Sequence, residues 1–294
     1  MASFLTEHET RYDYHTRVTT SQHVAVLEPR DLPYQQHAAF ELIVDPMPAR
    51  LIRRTDYFGN VVHQFQLLTP HDELRVIGRC HVDVHARESH WTAAAGRPWE
   101  EARAWLAQPL AEIGAEILQY LGRSPHVIGS TEIVAFARES FLPDRPLLDG
   151  ATDLMHRIHR EFTFDPTATT PSTPVTKVLA ERRGVCQDFA HFQIACLRSV
   201  GLAARYVSGY LLTDPPPGQA RLIGADASHA WLAVYVPEHG WVDLDPTNGV
   251  IVGQRHVTIG WGRDYSDVTP LRGVLLGGEQ HDLFVGVSVV PLDT

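Results

Sequence analysis

Lysine is almost absent from this chain: of its 25 basic residues only Lys177 is a lysine. Chemistries that depend on lysine amines are therefore poorly served. Cysteine is scarce as well. Cys80, Cys186 and Cys196 are odd in number and widely spaced, which argues against a disulfide framework and for a reducing, cytoplasmic compartment. No apolar run approaches the roughly eighteen residues of a membrane-spanning helix, and the opening MASFLTEHETRYDYH lacks the apolar stretch of a signal peptide. A basic surplus is missing too. The formal charge of −10 leaves nothing to neutralise phosphates and argues against a nucleic-acid partner. What remains is an ordinary globular composition, 44% hydrophobic and 20% charged over 294 residues, long enough for two domains.

The first ninety residues read as β structure. HVAVLEPR, AAFELIVDP, NVVHQFQLL and ELRVIGRCHVDVHA are short alternating or β-branched runs parted by turn-rich pieces such as DPMP and DYFGN, a spacing that suits a small sandwich. From Arg97 the period turns helical in WEEARAWLAQPLAEIGAEILQYL, TEIVAFARESF and TDLMHRIHREF. Pro109 is expected to interrupt the first of these, and Thr152 to cap the third. Beyond Thr176 come a short helix, a longer one and a series of strands. The organisation expected is α+β, with a β-sandwich domain over residues 1–96 and a second domain over 97–294. The Pro-rich TDPPPGQ at 213–219 reads as a loop within the second half.

The chemistry concentrates between Glu181 and Gly249. In ERRGVCQDFAHFQIACLRSVG, Gly184 precedes and Gly201 follows a helical run, so Cys186 falls in a first helical turn just after Arg182 and Arg183. Free N–H groups, the helix dipole and the two arginines all favour a thiolate there. A free cysteine is otherwise a small buried hydrophobe, and that is the reading for Cys196, mid-helix, and Cys80, in a strand. Forty-three residues on from Cys186 comes SHAWLAVYVPEHGWVDLDPTNG, two β runs around the turn PEHG with Gly240 suited to a left-handed position. His229 opens the first run and Asp245 closes the second, just before Pro246. A nucleophilic cysteine needs a base, and the base needs a partner that fixes its tautomer; a helix-start Cys, a strand-start His and a strand-end Asp can fill those roles. Asp243 projects from the same strand face as Asp245, and spacing alone does not choose between them. The loop around PEHG must have an odd effective length, or a bulge at Gly240, for His229 and Asp245 to meet.

GVCQDFAHFQIACLRSVGLAARYVSGYL followed by SHAWLAVYVPEHGWVDLDPTNG closely resembles the core of bacterial transglutaminase-like proteins, also described as cysteine proteases. RYDYHTRV, LEPR and DYFGN resemble the β-rich N-terminal domain of that family, and HVTIGWGRDYSDVTPLRGV resembles its downstream region. The resemblance implies a papain-like core with the catalytic helix packed on an antiparallel sheet. It implies Cys186 as nucleophile, His229 as general base and acid, and Asp245, the aspartate of DPTN, as the orienting carboxylate. The reaction implied is acyl transfer from a carboxamide or peptide bond through a thioester, with hydrolysis favoured over transfer to an amine. The alternative is a non-catalytic binding protein on the same fold. The expected partner is a protein or peptide substrate; homo-oligomerisation stays open. The papain-type glutamine six residues before the cysteine is missing, since Ala180 stands there.

Other residues compete for roles. Asp188 is read as a helix cap or a partner of Arg182 or Arg183. His191, about 140° around the helix from Cys186, is poorly placed as the base. The Cys186 N–H is the one oxyanion donor the sequence assigns. His81, Asp83 and His85 alternate along a strand with spacing that can ligate zinc, and His156 and His159 lie three apart on a helix, but solvent-facing polar residues give the same patterns. Neither a metal nor a cofactor is expected. Phe189, Tyr210, Trp231 and Trp241 sit near the motifs and are read as core packing.

Overall fold

The computed structural model describes residues 1–87, 96–109, 113–213, 228–237 and 239–292. The first half is organised by one strand, β1 (Ala2–Ala25). It is followed by β2 (Gln35–His37), β3 (Glu41–Asp45), β4 (Arg50–Thr55), β5 (Val61–Leu67) and β6 (His71–Val84). Along one edge β1 pairs with β6 from Ala2 to Asp13 and with β5 from Ser21 to Ala25. Its other edge takes the end of the chain: β15 (His281–Leu292) runs along Ser3–Tyr14, and β14 (Leu271–Gly277) along Val18–Ala25. The expected division after residue 96 is therefore corrected. Residues 271–292 belong to the N-terminal sheet, because β1 has two edges and the local strands cover only one. In place of the expected sandwich the strands form one eight-stranded sheet, in which Leu74 and Val76 of β6 share a core with Phe65 and Leu67 of β5.

Residues 97–213 supply six described helices. α1 (Trp99–Leu106) ends before Pro109, as expected, and α2 (Ala115–Leu118) is one turn. The Ser130 side chain accepts the Ile133 N–H and caps α3 (Thr131–Arg138). α4 (Leu147–Glu161) starts five residues before the expected Thr152 cap. Leu147 and Leu148 are buried and extend its apolar face backwards, and Gly150 is tolerated because the Phe141 ring lies 2.7 Å from where its Cβ would stand. α5 (Val175–Glu181) and α6 (Cys186–Ser199) follow. Among the described residues no helix is long and apolar enough to cross a membrane.

β7 (Thr163–Phe164) and β8 (Arg183–Gly184) make a short parallel pair. β9 (Ala204–Leu211), β10 (Ser228–Val236), β11 (Gly240–Asp245), β12 (Val250–Ile251) and β13 (His256–Gly262) form a second, antiparallel sheet in the order β12-β11-β10-β9-β13. α6 is buried over most of its length, and Phe189, Phe192 and Leu197 join Tyr206, Ala230, Leu232 and Leu244 of this sheet in the largest core. The two sheets meet where Tyr210, Val257 and Ile259 pack with Phe4, Val82, Val84, Val287 and Val289. Buried Asn60, from DYFGN, fastens the joint: its Nδ2 donates to Trp261 O at 2.8 Å and its Oδ1 accepts the Trp261 N–H at 2.9 Å. Arg30, from LEPR, donates to Asn60 Oδ1 and lies 3.6 Å over the Trp261 ring.

Candidate active site

The β10–β11 hairpin sets the geometry. Val236 pairs with Gly240 and the register runs unbroken to Leu232 opposite Leu244, so three residues join the strands. Gly240 takes φ +83°, the left-handed value that the turn needs and that glycine adopts without strain. An even four-residue loop would put His229 and Asp245 on opposite faces. With the odd loop, the same register continued places Asp245 opposite Trp231, two residues from His229 and on its face. There the His229 Nε2–H donates to Asp245 Oδ2 at 2.7 Å. Asp243 faces a different partner: it is ion-paired with Arg87, whose guanidinium lies 3.9 Å over the Tyr34 ring.

Cys186 is the first residue of α6 and is half-buried. The Asp188 carboxylate builds that helix start, accepting the Val185 N–H at 2.8 Å and the Thr169 hydroxyl at 2.6 Å. Burial outweighs both bonds and raises the Asp188 pKa. Asp188 is thus the cap, and the expected support of Cys186 by two arginines is corrected. Arg182 donates to Glu161 at 3.0 Å and stacks on Phe136 and Phe162, and Arg183 pairs with Asp165 at 3.5 Å, so those carboxylates take up their charge.

His229 joins the two elements. Burial disfavours its imidazolium, but hydrogen bonds to Asp245 and Cys186, together with their charges, lift it to about 10. Because Nε2 is engaged by Asp245, Nδ1 is the nitrogen left for the thiol. Asp245 is fully buried and collects donors on both oxygens. Oδ1 accepts the N–H groups of Thr247 at 2.9 Å and Asn248 at 3.2 Å; Oδ2 accepts His229, the Asn248 side-chain amide at 2.7 Å and His256 Nε2–H at 3.1 Å. Burial alone would raise this carboxyl, yet the donors hold it well below the usual carboxylate range. Asn248 and His256 carry no such role in the sequence reading. Both had a signal: Asn248 stands three residues after Asp245 in DPTN, and His256 opens HVTIGWGRDYSDVTPLRGV, though nothing in that stretch ties it to the aspartate.

Cys80 and Cys196 are buried and their thiols are pushed up by burial, Cys80 to about 12. His191 is buried, its ring stacked on His126, and its Nε2 accepts the Tyr265 N–H at 3.1 Å, away from the thiol. His81 and Asp83 lie 3.6 Å apart, with Asp83 taking the Ser3 hydroxyl, and His159 donates to Thr247 O at 2.9 Å. Among the described residues the ligating atoms that converge are those of His229, Asp245 and His256, within 4.8 Å of one another. Both imidazoles aim Nε2 at the same carboxylate oxygen, which is the pattern of two N–H donors sharing an acceptor; a metal there would have to displace both protons. Phe189, Tyr210 and Trp231 are buried core residues, as expected, and Trp241 is half-buried. Residues 214–219 of the Pro-rich stretch lie outside the described residues.

Residues 134–246, which hold Cys186, His229 and Asp245, match the family described as Transglutaminase-like superfamily, and residues 5–83 match the Bacterial transglutaminase-like N-terminal region. An uncharacterized protein of Mycobacterium tuberculosis is 42% identical over 97% of this chain and 92% of its own length. The chain belongs to the transglutaminase-like superfamily. A protein-glutamine gamma-glutamyltransferase of Pseudomonas aeruginosa is 33% identical over 32% of this chain and 15% of its own length. A crystal structure from Cytophaga hutchinsonii, described as a candidate cysteine protease, superposes with a TM-score of 0.75 over 100% of this chain and 92% of its own at 18% identity, which shows the same fold. The fold is α+β, as expected.

Proposed function

We propose that this transglutaminase-like protein is a cysteine-dependent acyl-transfer enzyme acting on carboxamide or peptide bonds. The observation that carries the reading is His229 held at 2.7 Å by a buried carboxylate while also bonded to a half-buried thiol at a helix start. The Cys186 thiolate attacks the carbonyl carbon, and the oxyanion forms near the Cys186 N–H, which the helix leaves without an internal partner. His229, lifted to about 10, is protonated at neutral pH and gives its proton to the departing amine or ammonia. The acyl group remains as a thioester. Neutral His229 then takes a proton from water, whose oxygen attacks the thioester and frees the thiol. Asp245 keeps Nε2 protonated throughout and so keeps Nδ1 turned to the reacting atoms.

Water is the acceptor we favour. Phe189, Tyr210 and Trp231 are consumed in core packing, which removes three of the aromatic residues available to line a channel for an uncharged amine. The likeness to the Pseudomonas glutamyltransferase favours the amine route instead. Three free cysteines suit a reducing, cytoplasmic setting. The test is mass spectrometry of a peptide library incubated with wild-type and Cys186→Ala protein, with and without a small primary amine. Cleavage or ammonia release that depends on Cys186 and persists without amine incorporation is expected. Stable amine incorporation would replace hydrolysis by transfer, and identical spectra for the two proteins would leave the fold with a binding role.

A further inference from the structure

We infer that His256 is a positioning residue for the reaction: it fixes the Asp245 carboxylate and tempers its hold on the His229 proton. The inference rests on the function proposed above and goes past the three residues that carry it.

His256 opens β13, where Leu211 of β9 is its pairing partner, and its ring packs edge-on against Trp231 at 5.3 Å and lies 6.1 Å from the His229 ring. Its Nε2 meets Asp245 Oδ2 at 3.1 Å, and both groups are buried. An ionised carboxylate only accepts, so Nε2 carries the hydrogen. Nδ1 is then the bare acceptor, and it is buried without a hydrogen-bond partner among the described residues. A residue kept only to fill the core gains nothing from that unpaired nitrogen, since an apolar ring avoids the desolvation loss. The bond to Asp245 is what the imidazole supplies.

Two consequences follow. Oδ2 receives His256, Asn248 and His229 together, so the carboxylate cannot turn about its last bond without breaking donors, and its lone pair stays aimed at His229. The donors also share one negative charge. The hydrogen bond that His256 donates to Oδ2 weakens the attraction between Asp245 and the His229 imidazolium, which makes the proton easier to deliver to the leaving group. Burial favours neutral His256 and outweighs the pull of Asp245, while the charged forms of His229 and Arg87 push the same way. Asp245, His229 and Arg87 are the titratable groups acting on it.

The experiment needs no substrate: the rate of Cys186 alkylation by iodoacetamide is followed from pH 4 to 11 in wild type, His256→Leu and His256→Gln, with melting temperatures. Glutamine places an amide N–H where Nε2 stands; leucine has none. The upper inflection of the profile reports loss of the His229 proton. In His256→Leu it is expected to move up by about half a pH unit or more, since one competing donor is gone, and in His256→Gln to return to the wild-type position. If the leucine variant fails to fold, His256→Asn, whose amide reaches only the Nδ1 position, takes its place with the same expected shift. Superimposed profiles for all proteins would overturn the role. So would rates and melting temperatures that fall equally in the leucine and glutamine variants with the inflection unmoved, the outcome of packing alone. A wild-type protein in which Cys186 is no more reactive than Cys80 or Cys196 would instead defeat the proposed function.

Discussion

Two aspartates on one face of β11, two residues apart and both buried, have opposite surroundings. Asp243 faces Arg87, a permanent cation that lies on Tyr34 at the joint between the two sheets, and the charge of Arg205 bears on the same site. Asp245 faces two imidazoles, a side-chain amide and two backbone N–H groups. A carboxylate against guanidinium has its charge cancelled at any working pH and can only hold structure. Against an imidazole, it sets the proton affinity of a group that titrates, and so can take part in chemistry. Residue type and strand face are the same at both positions. The partners brought by β1–β6 at one end and by β10 and β13 at the other make the difference.

That contrast can be broken from either end. Asp245→Asn is expected to lower turnover by about 10⁴-fold with little loss of stability, because the amide still fills the site but presents the wrong group to Nε2. The check is a rate on whatever peptide substrate the library yields, with a thermal melt beside it. Asp243→Ala should do the reverse. It strands Arg87 without its counter-charge, costing about 3 kcal/mol of stability with turnover within a few-fold of wild type, as denaturant unfolding and the same rate assay would show. Equal loss of activity in both variants would mean that the two carboxylates act as one unit.

The two aspartates also differ in what they do to pH dependence. His229 sits at about 10 in the folded protein, above the ordinary 6.5, so it stays protonated through neutral pH and loses its proton as pH rises through that range. Rate–pH profiles should therefore fall on an alkaline limb near 10. In Asp245→Asn the lost charge lowers the His229 pKa, and the limb should move down toward 6.5; in Asp243→Ala it should move far less. The smallest effect belongs to the turn. Gly240→Ala places a side chain at φ +83° with open space around it, so strain of about 1 kcal/mol is expected, read as a slightly lower melting temperature with the register and turnover kept.

The two halves of the chain were not equally legible. In the core, Cys186, His229 and Asp245 stand at a helix start, near a strand start and at a strand end, and the odd loop at Gly240 followed from the need for His229 and Asp245 to share a face. Asn248 and His256 were hidden because their roles depend on backbone that β10, β11 and β13 bring together from separate stretches. The N-terminal sheet concealed more. The buried face of β1 begins Phe4, Thr6, His8, Thr10, so the period-two signal is carried mainly by polar residues, and His8 finds its partner in the distant Tyr210 hydroxyl at 3.2 Å. Nothing local announces that residues 271–292 return to pair with β1. Arg182 and Arg183 misled for the opposite reason: they adjoin Cys186 in sequence, but their charges are taken by Glu161 and Asp165.

Activity through a Cys186 thiolate depends on its pairing with His229. The direct measurement is competitive labelling at pH 6.5 with a limiting amount of iodoacetamide, read by peptide mass spectrometry in wild type and in His229→Ala. Label should collect on Cys186 well ahead of buried Cys80 and Cys196 in the wild type, and that preference should collapse when His229 is removed. Label shared among the three cysteines in wild type, or an unchanged Cys186 rate in His229→Ala, would contradict it.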